Sequence, residues 1–326
     1  MNNRRRLIPV TAFAAATALA MPALAACSAD ATAASDAKNS GKLKVTTSFY
    51  PLEFLVGQIG GDHVAITDLT KPGVEPHDLE LAPQQVAGLT ESDVIVYLKG
   101  LQPAVDAAIK QSGVDRTVDA ATLTTLEDHG TEVDGRTHTT GDNGTGAESA
   151  EDAGADPHVW LDPVRYAEVA RGVAKSLEQA DPAHAATYGK NAETLLAKLD
   201  ALDTEFRDGL KNRASDTFVT THAAFGYLAE RYGLVEESIN GIDPESEPSA
   251  ARMKALQDLA KKDKVTTVFF ETLVSDKTAK TVAGDLNLRT DVLDPIEGIT
   301  DKSKGTDYFS VQRANLQALR TALGAK

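Results

Sequence analysis

The chain reads as an α/β protein, two (β/α) lobes with parallel sheets joined by a long rigid helix. Two observations predict this. Apolar runs and amphipathic stretches alternate through both halves of the sequence, a succession that implies parallel sheets flanked by helices. Between the halves runs one amphipathic segment, from about Pro182 to Lys211, whose Leu195, Leu196, Leu199, Leu202, Phe206 and Leu210 recur at threes and fours along one face. At about 1.5 Å per residue it would reach roughly 40 Å, the height of a domain.

The first half opens with strand Lys44–Ser48, then helix Leu52–Ile59, strand Val64–Leu69, helix Pro83–Leu89, strand Val94–Leu98 and helix Pro103–Gln111. The alternation then breaks. From Glu127 to Asp156 there is no hydrophobic period, and nine acids stand against one base, Arg136, for a net charge of −8. Such a stretch inside a compact domain is functional or disordered, and its composition makes disorder the expectation. Helix Pro163–Gln179 and the long segment follow. Beyond them come strand Thr217–Thr220, helix Ala223–Arg231, a short strand Ser238–Asn240, helix Ser249–Lys261, strand Val265–Phe270, helix Asp276–Asp285, strand Thr290–Leu293 and the closing helix Val311–Leu323. The expected organisation is a first lobe at 42–181 carrying the acidic insert 127–156, a linking helix at 182–213, and a second lobe at 214–326.

Residues 1–26 have the layout of an export signal. Arg4, Arg5 and Arg6 precede an Ala-rich apolar run from Leu7 to Leu24, interrupted by Pro9 and Pro22. A membrane span needs about 20 uninterrupted apolar residues and usually lacks a small-residue processing site. The run closes on Leu24-Ala25-Ala26-Cys27, which resembles the bacterial lipobox, so Cys27 is expected to carry a lipid and to begin the mature chain. It is the one cysteine of the sequence, which excludes an internal disulfide. Residues 27–41 lack hydrophobic periodicity and read as a flexible tether. The net charge of −15 argues against nucleic acid as a partner and is compatible with attracting cations.

In open α/β sheets, ligands bind beyond the carboxyl ends of the strands. That rule filters the seven histidines. His77 lies after the Val64–Leu69 strand, His222 directly follows Thr217–Thr220, and His158 sits where the acidic insert ends and a helix is about to begin. Asp294 follows the last predicted strand. Three imidazoles and a carboxylate, two groups from each lobe, could close a tetrahedral shell in a cleft between the lobes, a donor set that suits Zn²⁺. His63 and His184 fall on a strand start and a helix start without converging partners and read as surface residues.

The residues that carry a family resemblance are Val74-Glu75-Pro76-His77-Asp78, Asp156-Pro157-His158-Val159-Trp160-Leu161-Asp162-Pro163, Thr221-His222-Ala223-Ala224-Phe225-Gly226-Tyr227, Glu245-Ser246-Glu247-Pro248-Ser249 and Leu293-Asp294-Pro295. In that order they resemble the zinc and manganese solute-binding lipoproteins of bacterial ABC importers, the cluster A-I or ZnuA-like family. The resemblance implies His77, His158, His222 and Asp294 as ligands of a transported metal, and an ABC permease with its ATPase as partners. It also implies a monomer anchored through Cys27 on the outer face of the cell membrane, with lobes that move little on binding. Manganese members tend to place Glu where His222 stands, so the histidine favours zinc over manganese or iron.

Glu271, after strand Val265–Phe270, is the leading carboxylate to orient a histidine N–H, a partner that ligating imidazoles nearly always require. Glu75 and Glu53 are further candidates, and His129 and His138 offer the acidic insert a means of recruiting zinc. Two rival classes remain. A zinc hydrolase would need an open fourth position, which Asp294 would fill, and no His-Glu-x-x-His or Gly-x-Ser-x-Gly motif is present, so no catalytic residue is expected. A surface adhesin would leave no recognisable motif.

Overall fold

The computed structural model describes residues 41–129, 155–246 and 248–326. The first lobe holds β1 (Leu43–Thr47), β2 (Val64–Asp68), β3 (Val94–Tyr97) and β4 (Thr117–Asp119) in the order β2-β1-β3-β4. The second holds β5 (Thr217–Thr220), β6 (Val235–Ser238), β7 (Thr267–Phe270) and β8 (Arg289–Val292) in the order β6-β5-β7-β8. Every pairing is parallel, from Leu43 opposite Val64 in the first sheet to Thr217 opposite Val235 in the second. The lobes thus repeat one strand order, and in each the crossover direction reverses between the first and third strands. The carboxyl side of that reversal is where such sheets form a binding crevice.

Helices α1 (Tyr50–Gly60), α2 (Pro83–Leu89) and α3 (Pro103–Ser112) belong to the first sheet, and α4 (Pro163–Ala180) follows the insert. The long helix is α5 (Ala185–Gly209), with Leu195, Leu199, Leu202 and Phe206 buried as its periodicity requires. It packs along α4 and α1 and also meets α9. The second lobe adds α6 (Gly226–Tyr232), α7 (Ala250–Lys262), α8 (Lys277–Leu286) and α9 (Tyr308–Leu323).

Three elements depart from expectation for local reasons. β4 was hidden because only Val118 of its three residues is buried. The strand placed at Ser238–Asn240 instead occupies Val235–Ser238, where two glutamates and an exposed Val235 at the sheet edge disguise it and the buried Ile239 beyond it attracts the reading. The closing helix starts at Tyr308, three residues early. Asp307 caps it, its carboxylate accepting the Ser310 N–H at 2.8 Å while Ser310 Oγ receives the Asp307 N–H at 3.0 Å.

Leu69, Leu89, Ile95 and Val105 pack one outer face of the first sheet, and Val219, Val268, Leu256 and Val282 one outer face of the second. The largest cluster is shared, running from Val45 and Leu55 through Trp160, Leu199 and Phe206 to Phe269 and Tyr308. Polar ties cross the same seam. Trp160 Nε1 donates to Pro295 O at 2.7 Å, Tyr308 Oη donates to Trp160 O at 2.6 Å, and Arg231 grips Asp162 with two bonds of 2.9 and 2.7 Å. The chain divides between Gly41 and Lys42, and both lobes lie in the second unit.

Candidate metal centre

His77 stands in the loop after β2, His158 just ahead of a 3₁₀ turn at Val159–Leu161, His222 two residues past β5, and Glu297 in the loop after β8. One ligand atom from each lies within 4.8 Å of all the others. His158 Nε2 and His77 Nε2 are 3.3 and 3.4 Å from Glu297 Oε1. An ion about 2.0–2.1 Å from each of two tetrahedral ligands holds them roughly 3.3 Å apart, so these edges have the length a zinc shell requires. The same atoms lack hydrogen bonds. His77 Nε2, His158 Nε2, both His222 nitrogens and both Glu297 oxygens are buried without one. Each such group costs about 1–3 kcal/mol, and a cation among them removes that cost.

The structure brings the three expected histidines together with Glu297, and the expected Asp294 is not in that group. Asp294 lies outside the group because its short side chain serves its own backbone. Oδ1 accepts the Ile296 N–H at 2.8 Å, Thr272 Oγ1 donates to Oδ2 at 3.3 Å, and Asn315 brackets the peptide with bonds of 2.9 and 2.7 Å. That turn, with Ile296 at φ 60, carries Glu297 to the histidines. The signal was available: an Asp-Pro pair favours a local Asx-type turn, which leaves the next carboxylate along the chain as the free donor.

Asp156, also unassigned by sequence, orients the first-lobe imidazole. Its Oδ1 receives the His158 N–H at 2.9 Å and faces His158 Nδ1 at 2.7 Å, which fixes the tautomer with the Nε2 lone pair toward the cluster. Across the seam, Glu271 Oε1 stands 3.4 Å from His222 Nδ1. Burial works against a charge on either imidazole, but the carboxylates prevail. The His158 pKa is raised by Asp156 and Glu297, and that of His222 is pushed up to about 10 by Glu271, Glu297 and Glu236. Glu297, although fully buried, is held well below the carboxylate range by His158 and His77. Burial, then Glu297, lifts Glu75 to about 8.

The remaining candidates fall as follows. Glu75 is half-buried beside the cluster. His129 Nδ1 shares Asp156, at 2.8 Å from Oδ2, and groups with Glu127 and Glu230, where Arg165 already pairs with both acids. Glu53 pairs with Asp68 at the end of β2. His138 and Cys27 lie outside the described residues. His63 and His184, read as isolated, in fact stack on each other with centroids 3.9 Å apart, because the 3₁₀ turn Gly61–His63 abuts the start of α5.

Residues 45–322 match the family model described as zinc-uptake complex component A, periplasmic, ZnuA. The chain belongs to the ZnuA family. It is 33% identical to the high-affinity zinc uptake system protein ZnuA of Bacillus subtilis, over 93% of this chain and 94% of that protein. It is 37% identical to the zinc-binding protein AdcA of Streptococcus pyogenes over 86% of its own length, and spans only 56% of that relative. The fold is similar to that of Zn(II)-bound AdcA from Streptococcus pneumoniae, with a TM-score of 0.71 and 32% identity, covering 88% of this chain and 59% of that one. It is also similar to the laminin-binding protein of Streptococcus agalactiae, described as a bifunctional adhesin and metal transporter, with a TM-score of 0.73 and 30% identity over 86% and 99% of the two chains. This ZnuA-family chain thus presents its four-donor cluster within the matched span.

Proposed function

We propose that this chain is the extracytoplasmic zinc-binding component of an ABC importer, capturing Zn²⁺ at His77, His158, His222 and Glu297 and delivering it to a membrane permease driven by its ATPase. The carrying observation is the buried set of three imidazoles and one carboxylate, spaced as a tetrahedral shell and without hydrogen bonds. Imidazole favours zinc, whereas manganese prefers oxygen donors. Four protein donors leave no open position for a reactive water, so the site holds and releases its ion without catalysis. Among the described residues no helix is long and apolar enough to cross a membrane. Attachment is assigned to a lipid on Cys27, supported by the lipobox-like sequence, and the protein acts as a monomer.

Competitive calorimetric titration of Zn²⁺ and Mn²⁺ into the metal-stripped protein tests this. One tight site is expected, with zinc displacing manganese. His77→Ala, His158→Ala, His222→Ala and Glu297→Ala each weaken it beyond the roughly 10–100-fold typical of an orienting partner. Asp294→Ala acts less, through loss of the loop's turn. Absence of a tight site, or one indifferent to all four donors, would falsify the reading.

A further inference from the structure

Capture needs a route for the ion, and the four donors do not offer it equally. The His158 and Glu297 side chains are fully buried and His222 is 2% exposed, whereas His77 keeps 9%. Solvent therefore approaches by way of His77 and the segment that carries it. That segment turns at Gly73, φ +84, where an added Cβ would lie 3.9 Å from Thr300 Cγ2 of the second lobe, so it runs along the seam. Val74 beside it is exposed. Glu75 follows. One of its oxygens, Oε2, accepts the Asp78 N–H at 3.2 Å, while Oε1 is buried with no hydrogen-bond partner. Glu297 and Glu271 lie near enough to act on its charge, and it stands two residues ahead of the donor His77. A buried carboxyl oxygen without a partner is costly unless a proton or a cation satisfies it.

We infer that Glu75 is a transit ligand, whose free oxygen takes the divalent cation as it passes between water and the His77, His158, His222 and Glu297 set. The inference rests on the zinc-binding reading above. The arriving ion is hydrated. Glu75 Oε1 replaces one water, any proton on the carboxyl passing to solvent, so that a metal–oxygen bond to the carboxylate forms as a metal–water bond breaks. His77 Nε2 displaces the next, and Glu75 departs as the remaining donors close. Zinc accepts five ligands in passing, so no step leaves the ion bare. Release runs through the same steps reversed. A group that assists exchange in both directions alters rates more than affinity.

Stopped-flow mixing of the metal-stripped protein with Zn²⁺, and of the loaded protein with excess chelator, reads the two rates. Glu75→Gln keeps an acceptor for the Asp78 N–H and removes the second oxygen that could ligate as a carboxylate. Both rates are expected to fall at least about fivefold, with their ratio moving less than either. Glu80→Gln removes an exposed charge from the same loop and is expected to leave both unchanged. Wild-type rates in Glu75→Gln, equal slowing in Glu80→Gln, or slower association with release unchanged or faster would each overturn transit. Should Glu75→Gln lower the melting temperature, Glu75→Asp decides instead. It keeps the charge but withdraws the oxygen, so slowing in both directions supports the inference and unchanged rates reject it. Failure of the zinc-binding reading looks different, since the wild-type protein would then show no saturable uptake.

Discussion

The two lobes share a strand order but finish their strands differently. In the first, the loops beyond the central strands β1 and β3 are tied by neutral groups: Thr70 Oγ1 donates to Ser48 O at 2.7 Å and Gln102 Nε2 to Thr70 Oγ1 at 2.9 Å, all buried. In the second, the corresponding ends carry His222 two residues past β5 and Glu271 directly after β7, both buried. The first lobe supplies its donors from longer segments, the loop holding Glu75 and His77 and the neck of the acidic insert holding Asp156 and His158. One topology therefore fixes where a crevice lies, while the residues at the strand ends decide which wall presents ionisable groups there and which supplies its donors from longer segments.

The comparison sharpens most under changing pH. His222, pushed up to about 10, holds its proton through neutral pH in the metal-free site, and the His158 pKa is raised as well, so an incoming ion competes with protons for these imidazoles. Affinity should therefore fall as pH drops, by up to about tenfold per unit for each proton displaced, and by about a hundredfold or more between pH 7.5 and 5.5. Titrations in buffers of different ionisation enthalpy count the released protons. An affinity flat over that interval would contradict a three-imidazole site.

Next in size are the orienting carboxylates, one per lobe. Asp156→Asn and Glu271→Gln are each expected to weaken zinc binding by roughly 10–100-fold. Asp156 makes one short bond of 2.7 Å to its imidazole while Glu271 stands 3.4 Å from His222 Nδ1, so the first substitution should act more strongly. The reverse order in matched titrations would mean that the second lobe's charge field, and not its hydrogen-bond geometry, dominates. The smallest effect belongs to the neutral wall. Gln102→Ala should cost about 1–3 kcal/mol of stability in urea unfolding and leave zinc affinity alone. A loss of affinity there would erase the distinction between the walls.

The sheets, the long helix and three of the four clustered donors were legible in the sequence because each depends on local pattern: apolar runs, an apolar stripe, and histidines just past strands. What escaped depends on where short side chains spend their hydrogen bonds. Asp294 looked like a ligand by position, yet its oxygens are consumed by Ile296 and Thr272, and only the resulting turn brings Glu297 inward. Asp156 was counted among the acids of the insert, whose lack of periodicity concealed that its last residue is buried against His158. His63 and His184 lie far apart in sequence, and no spacing rule anticipates their stacking.

Trp160 is the single tryptophan of the sequence, 1% exposed, and its indole lies tilted against the His158 ring with centroids 5.1 Å apart. The emission of an indole responds to the charge on an imidazole at that distance, and a cation bound to the imidazole changes that charge. The molecule thus contains its own optical indicator. Its emission is expected to change as zinc fills the proposed site and to return as a chelator empties it, with no dye attached and no background from a second indole.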